Sequence, residues 1–143
     1  MKKLNLTSLR KALTSLQKAI ERYGREPEDE EVRDSAIQRF ETSYELCWKM
    51  LSKELQQRTP SPSQIPSLDF KSLMREEPFG LIDDPEAWFE YRRMRNITSH
   101  SYDEATAEKV AGSAKSFLKD AKSLLEALEK GFLKCIWNFG TWS

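Results

Sequence analysis

Leu6, Leu9, Leu13, Leu16, Ile20 and Tyr23 recur at alternating steps of three and four, with mostly basic and polar residues between them. Successive helical residues turn by ~100°, so this spacing lays all six side chains along one stripe, whereas a strand would scatter them over both faces. The same kind of spacing returns in Val32, Ile37, Phe40, Tyr44, Trp48, Leu51 and Leu55. It returns again in Val110, Ala114, Phe117, Leu118, Ala121, Leu124, Leu125 and Leu128. No segment alternates apolar and polar residues with period two. Such a chain buries its stripes by packing helix against helix, and the expected fold class is all-α.

Punctuation divides the pattern. A first helix over 6–23 ends at Gly24, and a second over 28–57 stops before Thr59-Pro60, because proline disfavours helical geometry in the residue before it. Residues 60–67 hold three prolines and three serines and form a loop. A short helix is expected over 68–76, broken by Pro78-Phe79-Gly80. Asp84-Pro85 suits an N-cap and first turn, starting a helix over 85–99 with Trp88, Phe89 and Tyr91. Asp103 or Ser101 caps a last long helix, with Ser101-x-x-Glu104 matching a capping box and the apolar stripe running to Lys130. The expected architecture is an antiparallel bundle of four main helices plus the short one, with residues 1–130 as a single domain. Residues 131–143 form an apolar C-terminal tail that folds back over the bundle, pairs with another subunit, or is a remnant of cloning or a frameshift; nothing in the sequence separates these.

Composition narrows the function. The 143 residues suffice for one domain, and Lys+Arg and Asp+Glu are 23 each, so any anion site must be local. No leader-like segment opens the sequence and no apolar run approaches the ~20 residues of a spanning helix, so a cytoplasmic protein without a membrane contact is expected. Cys47 and Cys135 lack metal-site spacing and are expected as buried reduced thiols. Asp83-Asp84 before proline suits a helix cap better than a metal site. No GxxxxGK or GxGxxG loop cradles a phosphate, and neither metal nor cofactor is expected.

The stretch MRNITSHSYD, residues 94–103, contains the single histidine of the chain. Asn96 and His100, four apart, share a helix face, and Arg95 and Ser99 form the neighbouring ridge. An imidazole that titrates near neutrality can take a proton from a ribose 2′-hydroxyl or give one to a departing 5′-oxygen, while a guanidinium holds the phosphate. Arginine and histidine also suit the negative end of a helix dipole, with Ser-Tyr-Asp as turn and cap. Spacing alone leaves both readings open.

Arg95-Asn96-x-x-x-His100 resembles the signature of the HEPN superfamily, small helical bundles that include metal-independent ribonucleases. The fuller Arg95-x-x-x-x-His100-x-Tyr102 resembles the motif of HEPN toxins encoded beside a minimal nucleotidyltransferase antitoxin. Within the superfamily the chain is most similar to nucleotidyltransferase substrate-binding proteins. Arg39-Phe40-Glu41-x-x-Tyr44-Glu45-x-x-Trp48-Lys49 and Gly80-Leu81-Ile82-Asp83-Asp84 with Trp88 also carry that likeness, which stops at Gly131.

The resemblance implies a homodimer whose two Arg/His pairs face each other across a cleft, single-stranded RNA as substrate, and a complex with the transferase. It implies Arg95, Asn96 and His100 as catalytic residues. It also implies that the partner transfers AMP from ATP to Tyr102 and silences the ribonuclease. The chain lacks the Gly-Ser motif and strand-borne aspartate pair of a transferase, so it is the partner. Intact Arg95 and His100 favour an enzyme; balanced charge favours a non-catalytic substrate-binding or scaffold subunit. On the second helix, Arg39, Glu41, Glu45 and Lys49 either line the cleft or form a solvated face. The i,i+4 spacing of Glu41-Glu45 and Glu45-Lys49 favours the solvated face, and Tyr44 and Trp48 belong to the core stripe.

Overall fold

The helix starts follow from short polar residues that satisfy backbone N–H groups left over in a first turn. A computed structural model describes residues 5–58, 82, 84–100 and 103–141, and of residues 58, 99, 100 and 131–141 it describes the backbone alone. Helix α1 spans Thr7–Arg25, and the Thr7 N–H donates to Asn5 Oδ1 at 3.1 Å. Helix α2 spans Glu30–Arg58. Asp29 starts it, its Oδ1 accepting the N–H groups of Glu31 at 2.9 Å and Val32 at 3.2 Å. Helix α3 spans Pro85–His100, capped by Asp84, whose Oδ1 accepts from the Ala87 N–H at 3.3 Å. Helix α4 spans Glu104–Thr141, capped by Asp103 through the Thr106 N–H at 2.7 Å. Asp84 and Asp103 thus cap as expected; Ser101 and the short helix over 68–76 lie outside the described residues.

Two boundaries differ from the sequence pattern. Gly24 does not end α1; the Glu26 N–H still donates to the Arg22 carbonyl at 2.9 Å, and the chain leaves the helix at Glu26, with φ −130° and ψ 60°, immediately before Pro27. The proline, rather than a left-handed glycine, sets the stop. At the other end α4 continues past Lys130 and through Gly131 to Thr141. A glycine costs a helix interior only about 1 kcal/mol. Phe132, Leu133, Ile136 and Trp137 keep a helix-compatible spacing beyond it.

The stripes meet as their periodicity requires. Leu9, Leu13 and Leu16 from α1 are fully or almost fully buried with Phe40, Cys47 and Leu51 from α2, Trp88, Tyr91 and Met94 from α3, and Val110, Phe117 and Leu124 from α4. Ala107, Ala111, Ala114 and Ala121 give α4 the slim face that lets it contact all three other helices. Phe117 is the aromatic hub. Its ring meets Phe40 edge-on at 5.0 Å, Tyr91 at 5.2 Å and Trp88 at 5.7 Å, tying α2 and α3 to α4. Such edge-to-face pairs add about 0.5–1.5 kcal/mol each beyond area burial.

Polar contacts set direction. Arg10 pairs with Glu129 at 2.8 Å and Lys122 donates to Gln17 at 2.7 Å, so partners descend α4 as they ascend α1, and the two run antiparallel. The Tyr91 hydroxyl donates to Asp120, joining α3 to α4. Arg33, buried near the start of α2, contacts Asp34 at 3.3 Å and Glu104, in the first turn of α4, at 3.8 Å. The result is the all-α bundle expected from the pattern. No helix among the described residues is long and apolar enough to cross a membrane.

Candidate functional site

The last two turns of α3 lie against the middle of α2. Met94 is buried and fixes the rotation of α3, so the next residue, Arg95, emerges at the rim of the core. Tyr44 does the same for α2: it is buried, with its ring near Phe40 at 6.4 Å and Phe117 at 6.5 Å, so Glu45 emerges opposite. Arg95 Nε donates to Glu45 Oε1 at 2.6 Å, with the arginine side chain 30% exposed and the carboxylate 52%. This is a short charge-assisted contact between two helices, half open to solvent. The expectation of a wholly solvated polar face on α2 is therefore corrected at Glu45. That residue reaches across to α3 because the register of the two helices puts it beside a cation of longer reach.

Asn96 is exposed on α3, and His100 is the helix's last residue. The side chain of His100 and the whole of Tyr102 lie outside the described residues. The Thr98 hydroxyl donates to the Arg95 carbonyl at 2.8 Å, satisfying a backbone acceptor near the helix end. Arg92, one turn before Arg95, is exposed and close enough to act electrostatically on Tyr44. Burial pushes the Tyr44 phenol above its ordinary range, Arg92 opposes that shift and Glu45 adds to it, so the hydroxyl stays protonated at neutral pH.

Elsewhere on α2, Arg39 is exposed and donates to Ser35 Oγ at 3.0 Å and to Ser15 Oγ of α1, a brace between helices. Lys49 is exposed and Trp48 packs half-buried against the core. Cys47 is buried as expected, and burial pushes its thiol well above the ordinary range. Asp84 is a helix cap. Among the described residues, no three His, Cys, Asp or Glu side chains converge in a metal-holding group.

Sequence pattern marks Arg95, Asn96 and His100 but passes over Glu45. The available signal was its position directly after Tyr44, which puts it on the edge of the buried stripe.

Comparison with known proteins bears on the chemistry. Residues 4–130 match the family model described as "Nucleotidyltransferase substrate binding protein like". The chain is 39% identical over 137 residues to a probable ribonuclease HepT of Haemophilus influenzae, covering 90% of this chain and 94% of that protein. It also resembles a solved Haemophilus influenzae structure described as revealing the fold of a substrate-binding domain of a nucleotidyltransferase. That likeness has a TM-score of 0.80 and 36% identity, covering 87% of this chain and 99% of the other.

Proposed function

The chain belongs to the nucleotidyltransferase substrate-binding family, and from that premise we propose that it is the HEPN-type partner subunit of a minimal nucleotidyltransferase and a metal-independent ribonuclease toxin. The observation that carries the reading is the placement of Arg95 at the α2–α3 rim, on the same terminal turns of α3 as Asn96 and the backbone of His100. A cation in that position can hold a phosphate of single-stranded RNA, and an imidazole next to it can move the proton. The imidazole takes the 2′-hydroxyl proton, the 2′-oxygen attacks phosphorus, and the 5′-oxygen leaves with a proton. In a homodimer with facing sites, two copies of His100 supply one base and one acid. Adenylylation of Tyr102, two residues after His100, puts negative charge and bulk beside the pair and silences it.

A second reading has its own support. Lys+Arg and Asp+Glu balance at 23 each, and Arg95 already holds a carboxylate, both of which suit a non-catalytic subunit that scaffolds the transferase or presents its substrate. The test is cleavage of single-stranded RNA by purified unmodified protein in excess chelator. The ribonuclease reading expects cleavage, with Arg95→Ala and His100→Ala each losing about 10²–10⁴-fold. Intact RNA, from a protein that still binds the transferase tightly, decides for the scaffold.

A further inference from the structure

Glu45 stands where a ribonuclease would least be expected to keep a carboxylate, against the cation that receives an RNA phosphate. Its negative charge weakens RNA binding there, so the contact needs a reason. Stability does not supply one: an ion pair this open to solvent contributes little to folding, because water already solvates both charges and ordering two long side chains costs entropy. Geometry does supply one. Glu45 engages Nε, the N–H nearest the arginine's aliphatic stem, rather than capturing the terminal nitrogens in a two-pronged grip. A hold on Nε fixes the plane of the guanidinium. The terminal N–H groups are the fork that matches a phosphate.

Both residues sit on rigid ground. Tyr44, just before Glu45, is locked in the aromatic core with Phe40 and Phe117, and Met94, just before Arg95, is buried. The pair therefore spans two helices whose rotation is already set by packing, an arrangement suited to holding a long, rotamer-rich side chain in one pose.

Resting on the ribonuclease reading above, we infer that Glu45 is a positioning residue that orients Arg95 for phosphate and acts on cleavage only through it. The opposite role, a latch that occupies Arg95 and must be displaced by RNA, makes the reverse prediction for the same variants.

The experiment measures kcat and KM for cleavage of a single-stranded RNA oligonucleotide in chelator, using the full chain, Glu45→Ala, Glu45→Gln, Arg95→Ala and the Glu45→Ala/Arg95→Ala double variant. Glu45→Ala is expected to lower kcat about 10- to 100-fold, the range for a catalytic group left loose, with KM equal or lower because a repelling charge is gone. Glu45→Gln, whose amide oxygen still accepts the Nε–H, recovers most of that loss. The double variant loses no more than Arg95→Ala alone, since the two residues act as one unit. Melting temperatures stay within about 4 °C of the parent, separating positioning from unfolding. Faster cleavage by Glu45→Ala, unchanged kcat, or losses that multiply in the double variant overturn the inference while leaving the ribonuclease in place. An inert parent protein removes the ribonuclease reading, and this inference falls with it.

Discussion

Helices α1 and α3 lay buried faces on the same core and spend their outer faces differently. On α1 the buried residues Leu9, Leu13 and Leu16 are backed by exposed polar side chains that serve the bundle itself: Arg10 pairs with Glu129 of α4, and Gln17 receives Lys122. On α3 the buried residues Trp88, Tyr91 and Met94 are backed by Arg92, Arg95 and Asn96, which gather toward one end. The contrast teaches that the same amphipathic design yields a strut or a site according to whether its polar groups are spread along the helix or concentrated at a terminus. The inward face of α3 fixes where Arg95 stands; the outward face gives the position its use.

The contrast is broken most forcefully from the inside. Phe117→Ala removes the ring that joins α2, α3 and α4, and should destabilise the bundle by about 3–5 kcal/mol in denaturant unfolding. A loss under 1 kcal/mol would mean that the aromatic hub does not hold α3 in place. Leu13→Ala on α1 empties a buried site remote from Arg95 and should cost roughly 2–5 kcal/mol. Measured under conditions where that variant is still folded, cleavage per folded molecule should stay close to the parent, which sharpens the distinction between strut and site.

Tyr91→Phe keeps the ring but strips Asp120 of its phenolic donor, and about 1–2 kcal/mol should disappear. Two-state chemical denaturation with an unchanged m-value is the appropriate check.

The smallest effect concerns the start of α4. The Thr106 backbone N–H holds the Asp103 carboxyl below its ordinary range. A carboxyl lowered in the folded state contributes stability above its unfolded value and loses it as pH falls through the folded one. Acidification below the usual carboxylate range should therefore slightly lower the melting temperature of the parent. Asp103→Asn, a good cap with no such titration, should not show that component. Identical acid profiles for the two proteins would remove Asp103 as its source.

How far these features could be read from the sequence depends on how local their causes are. Asp84 before Pro85 and Asp103 before Glu104 act within a few residues, so their caps are visible in the string. The stripes of α1, α2 and α4 are visible because one helix's periodicity defines its own buried face. Glu45 and Arg95 are fifty positions apart, and their contact depends on the rotation and register of two helices, which no local spacing encodes. The i,i+4 pattern even suggests the wrong partner, pairing Glu45 with Lys49 along its own helix. Likewise the stop of α1 follows from a competition between Gly24 and Pro27 that the proline wins, and the extension of α4 follows from a helical pattern strong enough to carry through Gly131.

The central claim is that the polar end of α3 cuts RNA by moving protons at the 2′- and 5′-oxygens, and it is tested most directly at the ends of the products. A single-stranded RNA oligonucleotide incubated with the unmodified protein in chelator should yield fragments ending in a 2′,3′-cyclic phosphate and a 5′-hydroxyl. A 2′-deoxy substitution at the cleaved position should abolish the cut, because it removes the attacking oxygen. Products carrying 5′-phosphates, or undiminished cleavage of the deoxy-substituted strand, would contradict the account.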